Sequence, residues 1–201
     1  MNPTKGDRTR QRILDRVGPV FNARGYHATT LADVMAATGL EKGGIYNHFR
    51  SKDELAVAAY DRNADLQGEL IAQRVRAAAT APDKLVAVIE AFRAFAHDPP
   101  FPGGCPTLNT AVEACHVDPR LHERAQAQMA RLLELVAALV RRGVERGELQ
   151  AGVDADATAS LVASSVEGAL LLHQLFGDAA HVDRVCDHLE RHVRSLAKDP
   201  A

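Results

Sequence analysis

Apolar residues recur at three- and four-residue intervals along nearly the whole of this 201-residue chain, and no convincing run alternates apolar with polar. That period stacks side chains along one face of an α-helix, whereas a half-buried strand needs alternation. Composition points the same way: aromatic residues make up 4%, Trp is absent, and Ala, Leu and Arg dominate. Unbranched side chains lose little rotamer freedom in a helix. The expected fold class is all-α, with about nine helices.

Local punctuation sets the helix ends. Ile13, Leu14, Val17, Val20 and Phe21 predict a helix over residues 8–24, kinked at Gly18-Pro19 and stopped by Gly25. Thr29 and Thr30 precede Leu31, Val34 and Met35, so a short threonine-capped helix follows and ends at Gly39. A second short helix is expected over residues 42–49. Ser51 then opens a long one to about residue 80, with Glu54 at the capping-box position. Further helices are expected over 81–97, 105–115, 119–147, 154–176 and 181–197. Asp98 to Gly104 reads DPPFPGG, a firm break because its prolines and glycines disfavour a helix interior. The expected division is a head over residues 1–52 and a body over 53–201.

Charge separates the same two parts. Residues 1–50 hold eight Lys/Arg against four Asp/Glu, a net +4, and the remainder holds 16 against 22, a net −6. A basic segment on an acidic body suits a nucleic-acid-binding head. A non-specific architectural DNA binder would carry a basic overall charge, and this chain stands at −2. No Gly-x-Ser-x-Gly elbow, phosphate loop or HExxH helix is present, so an enzyme is not expected. No cofactor is implied. The polar N-terminus lacks a signal-peptide core, and no uncharged apolar stretch reaches ~18 residues, so the expected setting is cytoplasmic with no membrane partner.

Three helices within the first fifty residues, the last two joined by Ala37-Thr38-Gly39-Leu40, describe a helix-turn-helix. In that motif the second helix enters the major groove and offers its N-terminal residues to base edges. Here it reads EKGGIYNHF. Lys42 supplies charge, Gly43 and Gly44 let the backbone approach DNA, and Tyr46, Asn47 and His48 offer hydrogen bonds. Ile45 and Phe49 point inward. Thr30, at a helix N-terminus, and Lys52 suit flanking phosphates.

The stretch from Gly25 to Leu55, GYHATTLADVMAATGLEKGGIYNHFRSKDEL, closely resembles the signature of the tetracycline-repressor (TetR) family. The resemblance implies two-fold dimers on palindromic operator DNA and a repressor released by a small-molecule inducer. It places Lys42 and Tyr46 near phosphates, and Gly43, Gly44, Asn47 and His48 around base edges. Many relatives carry Ser where this chain has Glu41. A carboxylate there complements the helix dipole but repels a phosphate, so Glu41 is not counted as a DNA contact.

The resemblance also implies an inducer pocket and a four-helix dimer interface in the body. Residues 154–176 are apolar on nearly every side, so that helix meets the body on one side and a partner on the other, or is buried within a monomer. Expected interface positions are Leu161, Val162, Gly168, Ala169, Leu172, Val185, Leu189 and Val193. Expected pocket residues are Phe92, Phe95, Cys105, Leu108, Asn109, Val112, Met129, Leu133 and Glu167, although its apolar members equally suit plain core. Asn109 and Glu167 need polar partners, which a ligand, each other or a helix end can supply.

Cys105, Cys115 and Cys186 form neither a disulfide framework nor a CxxC pair. Cys105 opens a helix after Gly103-Gly104, where helix dipole and free N–H groups favour a thiolate, though no Lys or Arg lies close in sequence. GGCPTLNTAVEA resembles the glycine-cysteine motif of a TetR-like subgroup that includes electrophile- and oxidant-responsive repressors. This sets a thiol-sensing alternative beside the inducer reading. His188 and His192 share a helix face but lack a third ligand, so no metal is expected.

Overall fold

The computed structural model describes residues 4–114 and 118–198; Cys115 lies outside them. Among the described residues the fold is all-α, with nine helices and no strand. In chain order they are α1 (Lys5–Arg24), α2 (Leu31–Thr38), α3 (Lys42–Tyr46), α4 (Lys52–Ala77), α5 (Ala81–His97), α6 (Pro106–Ala114), α7 (Pro119–Glu145), α8 (Ala155–Phe176) and α9 (Ala180–Ser195). An isolated antiparallel bridge joins Leu149 to Ala197.

The caps explain these boundaries. Thr4 and Asp7 form a reciprocal capping box on α1, and Thr30 and Asp33 form another on α2. Each satisfies backbone N–H groups that a helix start leaves open. Thr80 caps α5 and Asp154 caps α8. Gly39 and Gly177 close α2 and α8 in the left-handed region, at φ +69° and +68°, where a side chain would be strained. Helix α1 runs on through Gly18-Pro19.

The chain packs as two compact units. The first joins the residues up to Leu66 with Phe101–Gln126. Its core includes Ile13, Val17, Phe21, Tyr26, Val34, Ile45, Phe49, Leu55, Tyr60 and Leu121. The Phe21 and Tyr26 rings stack at 5.4 Å, and Tyr60 meets Tyr26 edge-on at 6.3 Å. Burial pushes the Tyr26 phenol pKa well up. Asn63 donates to the Gly18 carbonyl at 2.9 Å, and a Cβ on Gly18 would clash with the Asn63 amide oxygen. Only a glycine admits that approach.

The second unit holds Gln67–Pro100 and the residues from Ala127 onward. Helix α5 packs on α8 and α9. Leu85, Val88, Ile89, Phe92, Val136, Val140, Val166 and Val182 are buried there. Arg93 on α5 pairs with Asp183 at 3.3 Å and Asp187 at 2.7 Å, both on α9, and with Glu90 at 2.9 Å. Helix α8 is long and apolar enough, by length and composition, to cross a membrane, although Asp156 and Glu167 interrupt its apolar run. One of its faces is packed on α5 and α9.

Candidate nucleic-acid interface

Helices α1 to α3 lie in the first unit, together with the start of α4, α6 and the start of α7, and their packing decides which side chains remain available. Ile45 and Phe49 are each 1% exposed, so the inward face of the recognition segment matches expectation. Regular α3 is shorter than expected, ending at Tyr46; the Asn47 N–H bonds the Gly43 carbonyl and the His48 N–H bonds the Ile45 carbonyl. A tightened final turn commonly satisfies orphan groups at a helix end. Lys42, Gly43 and Asn47 are exposed, while Gly44, Tyr46 and His48 are half-buried. The Lys42 ammonium stands 5.9 Å from the Tyr46 ring centroid, one turn along the same face.

Gly43 is informative because the chain does not require it. A Cβ placed there meets nothing within 4 Å. Glycine in a helix costs ~1 kcal/mol relative to alanine. A Cβ on Gly44 would make only ordinary contact with Leu40, at 3.5 Å. The first turn of α3 therefore presents bare backbone at an open surface.

The flanking residues are held more firmly than the motif implied. The Thr30 hydroxyl accepts from the Asp33 N–H at 3.2 Å and donates to its carboxylate at 2.7 Å. These bonds hold the Asp33 carboxyl below the usual carboxylate range, and Arg24 pairs with it. The Lys52 ammonium donates to the His27 carbonyl at 3.0 Å, leaving two of its three N–H donors. Glu41 precedes α3 without a side-chain cap bond and is exposed.

Residues distant in sequence fix the elbow between α1 and α2. The Glu113 carboxylate on α6 accepts from the Tyr26 and His27 N–H groups, at 3.0 and 2.8 Å. Asn22, 4% exposed, donates to the carbonyls of Pro102 at 2.8 Å and Gly104 at 3.0 Å. No local signal marked these contacts, because the partners stand 80 to 87 residues apart.

The expected pocket residues fall into both units. Phe92, Phe95, Met129, Leu133 and Glu167 belong to the second; Cys105, Leu108, Asn109 and Val112 belong to the first. Cys105 is buried at 2% exposure. Asn109 donates to the Gly103 carbonyl, so the loop itself supplies its partner. Val112 is 76% exposed. Among the described residues no three His, Cys, Asp or Glu side chains converge as a metal site.

The expected partner-facing positions also divide. Val162, Ala169, Leu189 and Val193 are at most 2% exposed, spent on the chain's own core, and Val185 is half-buried. These positions are expected at the partner interface and within one chain are instead packed inward: an all-round apolar helix does not reveal which face its own subunit covers. Leu161, Gly168 and Leu172 do face outward, joined by Leu171, Leu175 and Phe176.

The comparisons with known proteins bear on both units. The family described as "Bacterial regulatory proteins, tetR family" matches residues 13–59, and "Tetracyclin repressor-like, C-terminal domain" matches residues 81–189. A TetR transcriptional regulator from Chloroflexus aurantiacus is 39% identical with a TM-score of 0.92, over 96% of this chain and 98% of that one. A TetR-family regulator from Cytophaga hutchinsonii is 30% identical with a TM-score of 0.91, over the whole of both chains. A cysteine mutant of the TetR-family regulator CifR, solved with a 26-bp double-strand operator DNA, shares the fold at 22% identity. Its TM-score is 0.78, over 92% of this chain and 95% of that one. This chain belongs to the tetracycline-repressor (TetR) family: it is a transcriptional regulator and not an enzyme.

Proposed function

We propose that this regulator is a repressor that binds a palindromic operator as a homodimer and leaves it when a small-molecule inducer binds. The observation that carries the reading is the open first turn of α3, where a Cβ on Gly43 would meet none of the described residues within 4 Å. On this reading residues 1–52 are the DNA-binding domain, and residues 53–201 bind ligand and dimerise. Lys42, Tyr46 and Lys52 take phosphates, and Gly43, Gly44, Asn47 and His48 line the base edges. Thr30 acts at the phosphate-facing start of α2, chiefly as its cap.

The outward face of α8 supports the dimer. Leu161, Leu171 and Leu172 are 38 to 44% exposed, and Leu175 and Phe176 are 67% exposed. Such an apolar patch marks an association surface, and Gly168, with nothing within 4 Å of a Cβ, leaves room for a close partner. The description of the matched C-terminal family as repressor-like favours repression. A regulator of DNA in a bacterial-type family acts in the cytoplasm. Phe92, Phe95, Met129, Leu133 and Glu167 remain the candidate inducer contacts. Cys105 belongs to the alternative thiol-sensing reading, which its burial disfavours because buried thiols are inert.

Coupling between ligand and operator is reciprocal: each weakens the other by the same factor. Calorimetry with a compound that releases the operator tests this. The compound should bind less tightly to operator-saturated protein. Equal affinities would contradict the inducer reading and favour chemistry at Cys105, which Cys105→Ser would abolish.

A further inference from the structure

Helix α1 carries Arg8, Arg12 and Arg16 at four-residue intervals. That spacing lines three guanidinium groups along one helix face, over about 12 Å. All three residues are exposed. Like charges at this spacing destabilise a helix unless an anion sits beside them.

The described residues do not supply that anion. Asp7 is taken by the Thr4 cap. Asp15 accepts from Arg62 at 2.8 Å and Gln11 at 3.1 Å. Among the described residues no carboxylate forms an ion pair with Arg8, Arg12 or Arg16. Arg12 and Arg16 instead line a cleft with Ile13 of α1 and with Thr38 and Leu40 of the turn that leads into α3. Arg16 donates to the Thr38 carbonyl at 3.0 Å, which fixes its charge against that turn. Leu40 stands two residues before Lys42, so the cleft borders the start of the recognition helix.

We propose that the Arg8–Arg12–Arg16 row is a second DNA-contact surface, taking operator backbone phosphates beside the groove that α3 reads. The proposal rests on the DNA-binding reading above. Duplex DNA presents one phosphate per ~3.4 Å of each strand, so a row of this length can meet more than one. Such contacts set position and affinity and carry no base sequence.

The test uses the full-length protein and a duplex that it enriches from a random-sequence pool. Binding is followed by fluorescence anisotropy from about 50 to 200 mM salt, where each lost phosphate contact lowers the log–log salt slope by about 0.9. Arg8→Gln/Arg12→Gln should lower the slope by about 1.8 and still enrich the same sequence. Its melting temperature should not fall, since neither side chain has an ion-pair partner to lose. Arg8→Lys/Arg12→Lys should keep the wild-type slope. An unchanged slope in the Gln variant, alongside a lowered slope in Lys42→Ala, would overturn the row and leave α3 standing. A wild-type protein that enriches no sequence would instead overturn the DNA-binding reading, and this proposal with it.

Discussion

Gly103→Ala places backbone strain and a steric clash at the same point. Gly103 sits at φ +97°, and a Cβ there would lie 2.6 Å from the Asn22 carbonyl oxygen and 2.8 Å from the Ala23 Cα. These are backbone atoms of α1, so no rotamer change relieves the contact. The positive φ alone costs ~1–2 kcal/mol for a side-chain-bearing residue. Forced overpacking adds ~1–3 kcal/mol. Moving the 102–104 segment away from α1 also loosens the two bonds from Asn22, each contributing ~1 kcal/mol. The expected total is about 4 kcal/mol. Gly39→Ala is the matched control in the same unit: its φ is +69°, but a Cβ meets nothing within 4 Å, so only ~1 kcal/mol of strain is expected. Urea unfolding followed by circular dichroism, at one protein concentration, gives both values. Equal losses in the two variants would refute the packing of the 102–104 segment on α1.

Two further outcomes follow from burial and charge. Leu175→Glu, on the outward face of α8, should abolish the dimer in sedimentation while the helices stay folded; Leu189→Glu, at 2% exposure, should unfold the second unit. An unaltered dimer in Leu175→Glu would remove α8 from the interface. Thr30 hydrogen bonds hold the Asp33 carboxyl below its ordinary pKa, and His97 does the same for Asp183. Folded pKa values depressed below the unfolded ones give stability that is present above about pH 4 and lost as pH falls through the folded values. The urea midpoint should therefore drop on acidification, and less steeply in Asp33→Asn.

Much of this fold was legible because helices announce their own ends. Thr30, Gly39 and Asp154 are local signals, and each acts at the boundary it marked, whereas the Thr80 cap of α5 and the Gly177 stop of α8 emerge only in the structure. The recognition segment was legible for the same reason, since its inward and outward residues follow from one helical period. The elbow contacts of Glu113 and Asn22 were not, because hydrogen bonds across 80 or more residues leave no periodicity. Asn109 looked like a ligand contact as a buried polar group in need of a partner, but its partner is the neighbouring Gly103 carbonyl. The faces of α8 were illegible too: apolar character on every side distinguishes neither core from partner surface.

The central claim is that DNA approaches the bare backbone at the first turn of α3, and Gly43→Ala tests it most directly. The chain tolerates this change, since the Cβ enters open space and helix propensity improves by ~1 kcal/mol. Operator binding should therefore weaken while the melting temperature stays equal or rises. Gly43→Ala protein that binds the selected operator as tightly as wild type would contradict the claim.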